Sequence, residues 1–170
     1  MLRNLVIDDA PAVWAYKSMP EAVRFQSWRP SSLDEVQEFI IDMEAVEINF
    51  PGSWFQLAIC RKDTGIVIGD IGIHFHATDG TLAEIGYTVS PAHQGNGFAT
   101  EAARAVLGYL FNTLNKRRVT ASIDPRNAPS AAVLMKLGFQ KEAHFRKSYF
   151  MDGEWTDDCV YGLMKEEWIP

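Results

Sequence analysis

The stretch that decides the fold is Leu82–Leu114, LAEIGYTVSPAHQGNGFATEAARAVLGYLFNTL. Leu82–Val89 reads as a strand, with Glu84, Gly86 and Thr88 on one face and Tyr87 on the other. Beyond Pro91 the period changes. Ala99, Ala102, Ala103, Val106, Leu107, Leu110, Phe111 and Leu114 recur at steps of three and four, the strongest helical pattern in the chain. Between the two lies Gln94-Gly95-Asn96-Gly97-Phe98-Ala99. A glycine-rich turn feeding a helix leaves backbone N–H groups unpaired at the positive end of the helix dipole. Such a turn suits a phosphate-bearing ligand, because glycine lets the anion approach the backbone. It also suits a plain helix start, and the loop alone leaves the two even.

Working outward, Ser53–Arg61 and Ile66–Phe75 read as strands separated by Lys62-Asp63-Thr64-Gly65, and Thr78-Asp79-Gly80 turns the chain into Leu82–Val89. Connections this short imply an antiparallel meander. Val119–Ile123 is a short strand after the long helix, so strand, helix, strand implies a parallel pair with a crossover. Asn127 caps a helix that ends at Lys136, with Gly138 as its stop. His144–Phe150 and Trp155–Met164 flank Asp152-Gly153, a hairpin signal. At the other end, Asp8 or Asp9 precedes a helical segment holding Ala12, Val13 and Tyr16. Ser31-Ser32 precedes a second with Leu33, Val36, Phe39, Ile40 and Met43. The fold class is α+β, a mixed sheet with flanking helices.

The chain has 170 residues, 47% of them hydrophobic and 22% charged, which fits one globular domain over residues 1–170 and excludes a disordered chain. No apolar run is long enough to span a bilayer, and MLRNLVIDDAP places acids where an export signal needs an apolar core. A cytoplasmic location is therefore expected, and Cys60 and Cys159 cannot make a disulfide framework. The net charge of −6 argues against a nucleic-acid partner and weakly favours a cationic substrate. The short basic run Lys116-Arg117-Arg118 reads as cations at a helix C-terminus. A P-loop is excluded, since no Gly-Lys-Ser/Thr follows the glycines. The dinucleotide fingerprint is degraded, with Thr100 at its third small position and Asp124 beyond the next strand, and the preceding meander argues against it.

Ala83-Glu84-Ile85-Gly86-Tyr87-Thr88-Val89-Ser90-Pro91, followed by Gln94-x-x-Gly97-x-Ala99-Thr100-Glu101-Ala102, resembles the acyl-CoA signature of the GNAT N-acetyltransferases. Asn127-Ala128-Pro129-Ser130 through Lys136-Leu137-Gly138-Phe139 is similar to a second block of that superfamily. Gly153-x-Trp155-x-Asp157-x-x-x-Tyr161 with Glu167-Trp168 resembles its RimJ/RimL-like branch, and Pro20…Arg24-Phe25 with Trp28-x-Pro30-x-Ser32 does so more loosely. The resemblance implies the GNAT fold, acetyl-CoA as cofactor, a primary amine as acceptor (a peptide N-terminus or a small molecule), and a monomer or homodimer. It implies that Tyr87, Thr88 and Val89 border the pantetheine arm and that Gln94, Gly95, Asn96, Gly97, Phe98, Ala99 and Thr100 hold the pyrophosphate. Asn127 and Ser130 also touch the cofactor, and an N–H near Val89 polarises the thioester carbonyl.

The amine attacks that carbonyl directly, so the site needs a base rather than a nucleophile. Glu84 is the candidate, since a half-buried carboxylate has a raised pKa; a substrate-positioning role competes with it. The usual tyrosine acid of the family is replaced by Leu134, which leaves Ser130, and secondarily Tyr161, to meet the departing sulfur. A hydroxyl bonding backbone explains Ser130 equally well, and a tyrosine on a terminal strand such as Tyr161 is more often packed. Phe25, Trp28, His74 and Glu84 are expected around the acceptor. His74 and His76 point one way on a strand and could begin a zinc site, but no third ligand stands at a suitable spacing, so no metal is expected. Loss of the tyrosine keeps a non-catalytic acyl-CoA-binding module as the alternative.

Overall fold

The computed structural model describes residues Met1–Pro170. Seven strands form one sheet in the order β1-β2-β3-β4-β5-β7-β6. They are β1 (Leu2–Asn4), β2 (Trp54–Cys60), β3 (Val67–Phe75), β4 (Leu82–Val89), β5 (Arg118–Ile123), β6 (Gln140–Met151) and β7 (Glu154–Met164). The helices are α1 (Ala10–Lys17), α2 (Pro20–Val23), α3 (Leu33–Glu44), α4 (Phe98–Gly108) and α5 (Ala128–Lys136). β2, β3 and β4 form the expected antiparallel meander, and β4 pairs β5 in parallel through the α4 crossover.

Two apolar layers sandwich the sheet. One face carries Ile71, Ile73, Phe75, Ala83, Ile85 and Val89 against Ala103, Val106, Leu107 and Leu110 of α4. The other packs Ala58 against Val13 and Tyr16 of α1 and Val36 and Ile40 of α3. Each fully buried Leu or Ile contributes about 1.5–3 kcal/mol. α3 begins where the serines predicted it: Ser32 Oγ accepts the Glu35 N–H at 3.2 Å, and the Glu35 carboxylate reaches back to the Ser31 N–H. Asn127 caps α5 through the Ser130 N–H, and the β6–β7 turn uses Asp152 and Gly153 at φ of 54° and 79°, as a type I′ hairpin requires.

Three features differ from the sequence reading. β1 and α2 are too short for any period to reveal. The long helix leaves α-geometry at Tyr109 and finishes as a π turn through Thr113. Lys116 is not a helix-end surface cation. It is 1% exposed, and its ammonium bonds the Asn49 side chain and the Gly80 carbonyl, tying the loop before β2 to the turn before β4.

The placement of the site comes from one irregularity. β4 and β5 pair only over Leu82–Glu84 and Arg118–Thr120. From Ile85 onward the strands part, and the sheet opens into a wedge.

Candidate active site

A cleft of about 530 Å³ runs through this wedge, with Ile85, Gly86 and Tyr87 on one wall and Ala121, Ser122 and Ile123 on the other. The amides along β4 alternate. His76 donates to the Leu82 carbonyl and Ser90 to the Ile68 carbonyl, so the even positions of β4 are committed to β3. The odd ones beyond the paired segment, Tyr87 and Val89, face the wedge with no strand to pair them. An extended, amide-rich chain laid in the wedge would find an open edge to bond, as a missing strand would.

At the wide end of the wedge lies the glycine turn. Gly95 and Gly97 take φ of 77° and 81°, a conformation that glycine adopts without a Cβ penalty, and no heavy atom lies within 4 Å of where a Cβ would stand. The amides of Gly95, Asn96 and Gly97 bond no carbonyl of the chain, and the first-turn amides of α4 are open as at any helix start. The turn is braced by its own side chains. Gln94 Nε2 donates to the Val89 carbonyl at 2.9 Å, and Asn96 Nδ2 to the carbonyls of His93 and Gln94. The open amides and clear space fit a pyrophosphate.

Glu84 sits where the wedge begins, on the face covered by α1–α3. Burial pushes its carboxyl up, opposed by the charges of His74 and His76 and reinforced by that of Asp158. On the opposite face of β4 the Tyr87 hydroxyl lies 3.0 Å from Ser130 Oγ, and it also donates to the Ser130 carbonyl. Burial pushes the Tyr87 phenol up to about 12 against that bond, so it keeps its proton at neutral pH.

A match to the acetyltransferase (GNAT) domain spans residues 1–140. This chain belongs to the GNAT acetyltransferase family. It is 31% identical over 168 residues to the uncharacterized N-acetyltransferase p20 of Bacillus licheniformis, covering 98% of this chain and 93% of that protein. It is 29% identical over 130 residues to the [ribosomal protein uS5]-alanine N-acetyltransferase of Escherichia coli K12, covering 73% and 64% respectively, consistent with the RimJ/RimL-like branch. The crystal structure of a GNAT acetyltransferase from Bacillus anthracis superposes with a TM-score of 0.83 at 26% identity, covering 98% of this chain and 95% of that one. Spermidine N-acetyltransferase from Vibrio cholerae, solved with CoA and spermine, shares the fold with a TM-score of 0.84 at 19% identity. As a GNAT member the chain is an acetyl-CoA-dependent N-acetyltransferase.

Within this GNAT fold the expected site residues separate. Glu84, Tyr87, Asn127, Ser130, Phe25 and Trp28 all line the cleft. Trp28 is held by stacking on Phe39 at 4.2 Å between ring centroids. His74 stands beside the cleft, paired with Glu84 in the strand register and stacked on Trp54. Phe98 turns inward, against the sheet core and the His93 ring. Two expectations need correction. Tyr161 is 7% exposed inside the core and does not reach the cleft, because its position on β7 faces the α4–α5 layer. Thr88 presents neither amide nor side chain to the wedge; its hydroxyl accepts from Lys17 on the acceptor face. Leu134, the departure from the family tyrosine, is fully buried in the core.

Sequence reasoning missed a buried polar cluster at the cleft wall. Asp70 accepts from Tyr16 Oη at 2.7 Å, from Gln56 Nε2 at 2.5 Å and from Lys17 Nζ at 3.1 Å, and Lys17 also bonds Thr88. Asp70 and Lys17 are each 4% exposed. The signal was an acid inside the apolar run Ile66–Phe75. Asp157 and Asp158 also border the cleft. Asp157 pairs with His144, and Asp158 accepts from Ser122 Oγ.

Proposed function

We propose that Glu84 is the general base of this N-acetyltransferase and that the Tyr87–Ser130 hydroxyl pair meets the departing sulfur. The observation that carries this reading is the position of β4. One strand presents a half-buried carboxylate to the acceptor face, a bonded hydroxyl pair to the other, and free amides to the wedge between them. Acetyl-CoA supplies an acyl carbon already activated as a thioester. The amide of Tyr87 holds its amide-rich arm, and those of Gly95–Thr100 its pyrophosphate. The acceptor is a primary amine, a peptide N-terminus or a small molecule. It arrives as a cation, drawn by Glu84, Asp157 and Asp158, with Trp28 and Phe25 walling its path.

Glu84 takes the ammonium proton so that the lone pair is free to attack, and its raised pKa keeps it a competent base. The Val89 amide donates to the carbonyl oxygen as charge develops there. The Tyr87 phenol donates with Ser130 to the sulfur as the C–S bond breaks, and the second proton of the attacking nitrogen goes to the thiolate, so that the amide and the CoA thiol are released. Substituting Glu84→Gln keeps the shape of the cleft and removes the base. Turnover should fall by about 10²–10⁴-fold while CoA affinity, measured by calorimetry, stays within twofold. Unchanged turnover would refute the base role.

A further inference from the structure

We infer that His74, His76 and Glu84 form a binding site for a zinc-type divalent ion, and that the ion competes with the acceptor amine for Glu84. The inference rests on the proposed role of Glu84 only for the competition, not for the site. The two histidines share one face of β3 and its extension, with rings 5.2 Å apart. The antiparallel register sets Glu84 of β4 directly across from His74, supplying the third ligand that spacing along the chain could not reveal. One donor atom from each lies within 4.8 Å of the others. A tetrahedral zinc centre with bonds of about 2.1 Å wants donors about 3.4 Å apart, a gap that small side-chain rotations close.

The donor set discriminates. Two imidazoles and one carboxylate match zinc, whereas magnesium prefers an all-oxygen octahedral shell. The ring nitrogens of His74 and His76 are not committed elsewhere, since the histidine side chain that hydrogen-bonds in this protein is His144, to Asp157. All three donors are half-buried, so desolvation is partial and the fourth position stays open to water or to the amine itself. A zinc ion here takes the lone pairs that Glu84 would offer to an ammonium proton. The transferase would then fall silent when zinc is abundant.

The test is calorimetric titration of the full chain with zinc chloride, beside magnesium chloride, on the wild type, His76→Ala and His144→Ala. One equivalent of zinc should bind the wild type and His144→Ala. His76→Ala should bind it at least about tenfold more weakly, and magnesium should give no heat. Zinc should also inhibit wild-type acetyl transfer, while His76→Ala, compared with its own zinc-free rate, loses no turnover when zinc is added. Zinc heat unchanged in His76→Ala, or equal heat from magnesium, would overturn the site. Zinc bound at one equivalent without loss of turnover would overturn the competition. A fully active Glu84→Gln variant would refute the base role alone, because the titration reads the site without turnover.

Discussion

Replacing Asp70 with alanine exposes what the buried cluster contributes. The substitution removes the one acceptor shared by Tyr16, Gln56 and Lys17, and leaves the 4% exposed Lys17 ammonium with the Thr88 hydroxyl as its hydrogen-bond partner and the Tyr16 and Trp28 rings beneath it at 5.8 and 5.4 Å. Breaking a buried ion pair from one side costs about 3–5 kcal/mol, because the remaining charge is stranded away from water. For a chain of this length each kcal/mol lowers Tm by about 2–4 °C, so the midpoint should fall by roughly 6–20 °C. Denaturant unfolding gives the free energy directly, and thermal scans the midpoint. The control separates charge from packing. Asp70→Leu combined with Lys17→Met removes both charges and keeps apolar volume, and should recover most of the lost stability. A loss below about 1 kcal/mol in Asp70→Ala would refute the reasoning, since the ammonium would then have found water or another anion. Failure of the double variant to recover would show that Tyr16 and Gln56, not the ion pair, dominate.

Other substitutions test other parts of the structure. Gly97→Val places a β-branched side chain at a φ of 81° on the cofactor side of the turn, so CoA affinity should drop about tenfold or more while the protein stays folded; unchanged affinity would remove the turn from the cofactor site. Leu134→Tyr should not restore a catalytic acid: the position is fully buried, and overpacking should cost about 1–3 kcal/mol without raising turnover. Burial pushes the Asp9 carboxyl up, but the Arg3 guanidinium and the Val6 N–H outweigh it and hold it below its ordinary value. A folded pKa below the unfolded one contributes stability above the unfolded value, about 3.9, that is lost as pH falls through the folded one. Asp9→Asn should therefore weaken the protein at neutral pH by about 1–2 kcal/mol and flatten its acid unfolding curve below pH 4, as read by circular dichroism.

The chain's own pattern determined a good deal. Strand alternation put Glu84 and Tyr87 on opposite faces of β4, because side-chain direction in a strand depends only on parity. The glycines at 95 and 97 announced the open turn, because only residues without a Cβ take that backbone path freely. Ser32, Asn127 and Asp152-Gly153 marked helix starts and a hairpin, each through a local bond or dihedral that needs no distant partner. Tertiary structure decided the rest. Asp70 and Lys17 are far apart in the chain, and only packing α1 on the sheet makes them a buried pair. Tyr161 was assigned to the site by position in a motif, but the layer it faces depends on how β7 settles against its neighbours, and Thr88, on the Glu84 face by parity, meets Lys17 only because α1 packs there. Glu84 joins His74 and His76 through the β3–β4 register. The wedge itself arises where two strands stop pairing, and that is a property of the sheet rather than of any residue in it.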